Sequence, residues 1–79
     1  MDPKKTADKI IDARYMEPPE PFVATMDALD AMDPSHTLML ILSREPHPLY
    51  RALHKQGYAY RTEITPDYTI EILIWREQT

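Results

Sequence analysis

The sequence has 79 residues, no cysteine and a formal net charge of −4, and these values exclude several classes of protein. A chain of this length forms one small domain, which buries about 60 % of the surface of its unfolded chain. Without cysteine it has no disulfide, no thiolate nucleophile and no cysteine metal ligand. Its acidic balance and scattered basic residues argue against nucleic-acid binding, because affinity for the phosphate backbone comes largely from clustered lysine and arginine.

Targeting and membrane segments are not evident in the sequence. No stretch approaches the roughly 18 apolar residues that a membrane-spanning helix needs. The first residues, MDPKKTADK, have no apolar core of a signal peptide, so we expect a cytoplasmic protein. Residues 1–8 are polar and contain Pro3, which predicts a flexible N-terminal arm before one domain at residues 9–79.

The first half of the chain predicts a strand, a helix and a second strand. KIIDA, from Lys9 to Ala13, is typical of a short strand. PFVATMDALDAM follows a proline cluster and predicts an amphipathic helix. The inner stripe of this helix is expected to consist of Phe22, Val23, Met26 and Leu29. TLMLILS, from Thr37 to Ser43, is continuously apolar, as in a central strand.

The second half predicts a helix followed by a hairpin. PLYRALHKQG begins with Pro48, which suits the first helical position, and ends with Gly57, a natural C-terminal cap. YAYRTEIT and TIEILIWRE both alternate as strands, and PDY turns the chain between them.

The predicted order is strand, helix, strand, helix, strand, strand, which is typical of the α+β class. Because strand-helix-strand connections are right-handed, both helices are expected on one face of the sheet. We predict a two-layer sandwich in which two helices cover one face of a four-stranded mixed sheet. The other face stays open.

Two proline-rich segments resemble those of a known group of proteins. IIDARYMEPPEPF resembles the Leu-Asp and Cys-Pro-x-Pro segment of the TusA and SirA sulfur carriers. REPHPLYRALHKQGY resembles the signature of the cysteine-free DUF2249 family within that fold. The resemblance covers about residues 9–77. It implies a TusA/SirA-like fold, a bacterial or archaeal source and an accessory role in redox or nitrogen-oxide metabolism.

The resemblance also indicates where the chain departs from the carriers. Their cysteine lies at the start of the first helix, where backbone amides and the helix dipole favour a thiolate. Pro18 occupies this position here, and it has neither a nucleophile nor an N–H. The chain therefore cannot carry a persulfide on a cysteine.

Charged and aromatic residues follow the first two strands, and parallel pairing would bring them to one edge of the sheet. These candidate ligand-binding residues are Arg14, Tyr15, Glu17, Arg44, Glu45, His47 and Tyr50. Together they predict a site for a small anionic ligand. The alternative is a surface network in which these arginines and glutamates pair with one another, each pair contributing about 0 to 1 kcal/mol.

The histidines give little support for a metal or for catalysis. A metal site needs ligands beyond His47 and His54, and Pro46 extends the backbone between Glu45 and His47 so that their side chains point apart. We predict no metal and no cofactor. The leading hypothesis is a non-enzymatic binding or protein-interaction module. The second is a sulfur-metabolism partner that docks like a carrier without carrying persulfide, and the third is an enzyme that uses Glu45 and His47.

The last strand predicts a partner surface on the open face. Its isoleucines, Ile70, Ile72 and Ile74, are expected to face the helices, so Leu73 and Trp75 point the other way. An apolar patch on a small domain often marks a contact surface. A second copy of the chain is the simplest partner, and another protein is the alternative.

Overall fold

The structure is a computed structural model that describes residues 7–77. In this part of the chain it contains strand β1 (Lys9–Asp12), helix α1 (Glu20–Ala31), strand β2 (Thr37–Leu42), helix α2 (His47–Lys55), strand β3 (Tyr58–Ile64) and strand β4 (Ile70–Arg76). The strands form one sheet in the order β1-β2-β4-β3. β1 and β2 are parallel, and β4 is antiparallel to both of its neighbours. The predicted α+β architecture is confirmed.

The core lies between the sheet and the two helices. It is built from alternate residues of the two central strands and from inner residues of both helices: Leu38, Leu40, Leu42, Ile70, Ile72, Ile74, Leu29, Leu49 and Leu53. Full burial of one such side chain contributes about 1.5–3 kcal/mol. Because inner residues of both helices belong to one core cluster with these strand residues, both helices cover one face of the sheet, as predicted.

Helix α1 is rotated about its axis relative to the prediction. Its buried residues are Thr25, Ala28 and Leu29, whereas Phe22 is 37 % and Val23 is 49 % exposed. The predicted inner stripe is therefore wrong at Phe22 and Val23 and right at Leu29 and at Met26, which is partly buried against the core. Small side chains at Thr25 and Ala28 let the helix backbone approach the sheet closely, because interaxial distance depends on the side chains at the contact.

Prolines lie at the start of both helices, and a glycine follows the second. Pro21 and Pro48 occupy the first turn, where the missing N–H removes no intrahelical hydrogen bond. Gly57 lies two residues after the end of α2 with a φ of 84°, in the left-handed region that favours glycine. In residues 7–77, neither helix has the length and apolar character needed to cross a membrane. The cytoplasmic location stays a prediction.

The predicted N-terminal arm overlaps the start of the sheet. Its residues 1–6 lie outside the part of the chain that the structure describes. The Asp8 amide donates to the Thr37 carbonyl at 3.0 Å, and the Asp8 carboxylate accepts from the Thr37 amide at 2.8 Å. Hydrogen bonding to β2 thus extends to Asp8.

Candidate functional site

A cavity of about 580 Å³ lies between the segments that follow β1 and β2. These strands are parallel, so their carboxyl ends meet at one edge of the sheet, and the connections to α1 and α2 form the cavity wall. Ligand pockets in proteins are usually about 300–1,000 Å³. The cavity is therefore large enough for a small molecule or a short peptide.

Most of the wall is apolar. It includes Met16 and Phe22 on the α1 side and Leu42 and Leu49 on the β2–α2 side, with prolines next to both helix starts. The Phe22 side chain lies outside the core and is 37 % exposed, and it forms part of the cavity wall. Since proline fixes φ, the proline segments give the wall a backbone with little freedom.

Four of the predicted site residues line the cavity: Arg14, Glu17, Arg44 and Glu45. Three others lie outside its wall: Tyr15, His47 and Tyr50. Tyr15 is 89 % exposed, and its ring centroid lies 5.9 Å from the guanidinium carbon of Arg14. The structure thus brings together the charged members of the predicted set and separates the aromatic ones from them.

Arg14 is held by a carboxylate that the sequence prediction did not include. Its Nε and Nη2 donate to the two oxygens of Asp12 at 2.9 and 2.6 Å. This bidentate hydrogen bonding, together with the negative charge of Asp12, raises the pKa of Arg14. Asp12 and Arg14 are two residues apart at the end of a strand, so their side chains lie on the same side of the backbone. This spacing is the sequence signal that could have predicted the pair.

Arg44 and Glu17 both line the cavity, and their side chains have no ion pair or hydrogen bond with another residue of the described part. Both residues are exposed. The pairs of the alternative prediction, an arginine with Glu17 or with Glu45, do not form within residues 7–77. The cavity therefore has one guanidinium and one carboxylate that are available to a ligand.

Tyr50 points away from the cavity and toward β3. Its hydroxyl lies 2.7 Å from the Thr62 hydroxyl and donates to the Glu45 carboxylate at 3.2 Å. Its ring stacks on that of Tyr60 with 4.5 Å between centroids, and His47 contacts it edge to face at 5.9 Å. Burial raises the pKa of Tyr50 above its ordinary value. This cluster joins α2 to β3 and holds the carboxylate of Glu45.

The apolar wall was not predicted from the sequence. Met16 is the one apolar side chain between the charged residues after β1, and Phe22 was assigned to the helix core. An apolar residue inside a polar, proline-rich turn is a signal for a partly covered surface, because a fully solvated turn has no need of it. Leu42 and Leu49 gave no separate signal, since they belong to the core as well.

Leu73 and Trp75 lie on the face of the sheet opposite to the helices, where alternation predicts them. Leu73 lies between Met39 of β2 and Arg61 of β3, and Trp75 lies beside Thr37. Met39 is only 1 % exposed although it lies on the face opposite to α1 and α2, and Leu73 and Trp75 are half-buried. A partner for this face stays a prediction. In residues 7–77, no three His, Asp or Glu side chains are grouped so that they could hold a metal ion.

Comparisons with known proteins give a family and a fold. Residues 10–76 match the model of a family described as "Uncharacterized conserved protein (DUF2249)". The chain is similar to the crystal structure of a SirA-like protein from Desulfitobacterium hafniense, with a TM-score of 0.76 and 16 % identity over 89 % of this chain and 99 % of that one. A likeness at this identity is one of fold alone. No curated protein matches the chain.

Proposed function

The chain belongs to the DUF2249 family and has a SirA-like fold, and we propose that it is a non-enzymatic module that binds a small ligand through a carboxylate or similar anionic group. The observation that carries this proposal is the guanidinium of Arg44, which has no ion pair within residues 7–77 and lies beside an apolar cavity of about 580 Å³. A wall of this kind, with a few polar groups, is typical of small-molecule sites.

Arg44 is suited to hold the anionic group of the ligand. A guanidinium is planar and always charged, and its donors match the two oxygens of a carboxylate. Arg14 has the same chemistry, but Asp12 already occupies its Nε and Nη2. Arg14 therefore supports the wall, and Arg44 binds the ligand.

Apolar contacts supply the rest of the affinity. Met16 and Phe22 on one side and Leu42 and Leu49 on the other lose contact with water when an apolar ligand enters. Each Å² of apolar surface removed from water contributes about 25 cal/mol. The preferred ligand thus combines an apolar body with one anionic end.

Titration with hydrocinnamate, a small aromatic carboxylate, tests this proposal. We expect its addition to shift the amide resonances of cavity residues such as Ala13, Met16 and Ser43. Arg44→Gln is expected to weaken binding by about tenfold, because a hydrogen bond to a charged group contributes about 1.5–3 kcal/mol. Arg51→Gln is the matched control, because Arg51 is exposed on α2 and lies outside the cavity wall.

The uncharged amide, hydrocinnamamide, separates the two contributions. It keeps the apolar body and loses the anionic end, so it is expected to bind wild type about as weakly as hydrocinnamate binds the Arg44→Gln variant. Shifts spread over the whole surface, or equal effects of Arg44→Gln and Arg51→Gln, would contradict a site at the cavity.

A second candidate is docking to a protein of sulfur metabolism in the manner of a carrier, and the SirA-like fold is the observation that favours it. The chain has no cysteine and cannot itself hold a persulfide. The same titration distinguishes the two candidates, because docking without a small ligand predicts no response of the cavity to hydrocinnamate.

A further inference from the structure

The charges in the cavity wall lead to a more specific ligand class, and this step rests on the proposed function. Two of the four charged residues already have a side-chain partner: Arg14 forms an ion pair with Asp12, and Glu45 accepts a hydrogen bond from the Tyr50 hydroxyl, which leaves its negative charge in place. The other two, Arg44 and Glu17, contact neither each other nor another charged residue of the described part.

A ligand with only an anionic end uses one of these two charges. It would satisfy Arg44 but would leave the Glu17 carboxylate in the same cavity, where the two negative charges repel each other. A ligand that carries a positive group as well pairs with both free charges. Complementary charges of this kind set specificity more than they raise affinity.

We propose that the cavity binds a short apolar peptide with free ends, whose carboxylate lies on Arg44 and whose ammonium lies on Glu17. Its apolar side chains would pack on Met16, Phe22 and Leu42. The cavity volume of about 580 Å³ is in the range that holds drug-sized ligands, which are larger than one amino acid. A dipeptide is therefore a suitable probe.

Binding of the dipeptide phenylalanyl-leucine and its capped forms tests the assignment of both ends. N-acetylation removes the ammonium and keeps the carboxylate, whereas C-amidation does the reverse. Acetylation is expected to weaken binding to wild type by about fivefold, the range of one exposed ion pair. In Glu17→Gln this loss should disappear, because the partner of the ammonium is already gone.

Amidation is tested against Arg44→Gln in the same way. It is expected to weaken binding to wild type by about tenfold and to have little further effect on the Arg44→Gln variant. Glu20→Gln is the matched control for Glu17→Gln, because Glu20 is exposed near the start of α1 but lies outside the cavity wall. Glu20→Gln changes the net charge by the same amount as Glu17→Gln, and we expect acetylation of the dipeptide to weaken its binding to this variant as it does for wild type.

The outcomes separate this inference from the proposed function. If the acetylated and free dipeptides bind equally, and both lose affinity in Arg44→Gln, the site takes a carboxylate ligand and the zwitterionic peptide is wrong. If no form of the dipeptide shifts the cavity resonances but hydrocinnamate does, the peptide is again wrong. If neither probe acts at the cavity, both proposals are wrong.

Discussion

Thr25 of helix α1 is fully buried, and its hydroxyl has no hydrogen-bond partner in the described part of the chain. Leaving such a group unsatisfied costs about 1–3 kcal/mol. Valine has nearly the same shape and a similar helix propensity. We therefore expect Thr25→Val to raise the free energy of unfolding by about 1 kcal/mol, measured by chemical denaturation.

Thr62 provides the matched control for this prediction. Its hydroxyl lies 2.7 Å from that of Tyr50, so Thr62→Val removes a hydrogen bond that is made. This variant is expected to lower the free energy of unfolding by about 1 kcal/mol. A loss of stability in Thr25→Val of the same size would show that the Thr25 hydroxyl has a partner after all.

At the scale of elements, Gly57 and Tyr68 have a left-handed backbone. Gly57 follows helix α2 with a φ of 84°, and Tyr68 lies in the β3–β4 turn with a φ of 65°. Glycine adopts this region freely, whereas a bulky side chain does not. The hairpin turn enforces it at Tyr68, because the Thr65 and Thr69 backbones pair across the turn at 2.9 Å and the Asp67 carboxylate accepts from the Thr65 hydroxyl. The hydrogen bonds that Asp67 accepts from the Thr65 hydroxyl and from Thr69 lower the pKa of its carboxylate.

Opposite substitutions at these positions should have opposite effects on stability. Gly57→Ala is expected to lower the free energy of unfolding by about 1 kcal/mol, and this is a backbone effect because nothing lies within 4 Å of an added Cβ. Tyr68→Gly is expected to raise it by about 0.5–1 kcal/mol, since the side chain is 81 % exposed and contributes little packing. Thermal and chemical denaturation measure both. A destabilised Tyr68→Gly would mean that the ring contributes more than the backbone strain costs.

The face of β4 that packs on the helices was predictable because its pattern has a period of two, and a one-residue error would reverse every side chain. The rotation of helix α1 about its axis was not predictable, because α1 carries two overlapping apolar stripes. One begins at Phe22, the other contains Thr25 and Ala28, and Met26 and Leu29 border both. The larger apolar area of Phe22 favours burial of the first stripe. The second stripe nevertheless packs on the sheet, because the small side chains of Thr25 and Ala28 allow a close approach.

The candidate site was partly predictable for a similar reason. Parallel pairing of β1 and β2 is enough to bring Arg14 and Arg44 to one edge, since both follow directly on a strand end. His47 and Tyr50 lie one turn further on, so their position depends on how α2 is rotated. Contact with Tyr60 of β3 turns them away from the cavity, and no local pattern indicates this long-range stacking.

At the scale of the whole molecule, the open face of the sheet carries an apolar row next to an acidic one. The apolar row runs across the strands through Ile10, Met39 and Leu73. In the next row, Glu71 lies directly opposite Glu63 in the β3–β4 pair, but Glu71 is only 9 % exposed and Glu63 forms an ion pair with Arg61 at 3.4 Å. The apolar row favours contact with a second copy of the chain, whereas the net charge of −4 on each copy opposes it.

Self-association through this face should therefore become stronger as salt is added, because screening weakens the repulsion and leaves the apolar contact. Sedimentation and Trp75 fluorescence across a dilution series at low and high salt measure this. We expect a blue shift of the emission as concentration rises, since Trp75 is half-buried on the face that would be covered. Leu73→Glu should abolish the blue shift. Val23→Glu is the matched control and should leave the shift unchanged, because it adds the same charge on the exposed side of α1, away from the sheet. If the protein is a monomer at every protein and salt concentration, a second copy is excluded and another protein is left as the partner of this face. If Leu73→Glu and Val23→Glu have equal effects, the contact lies elsewhere on the molecule.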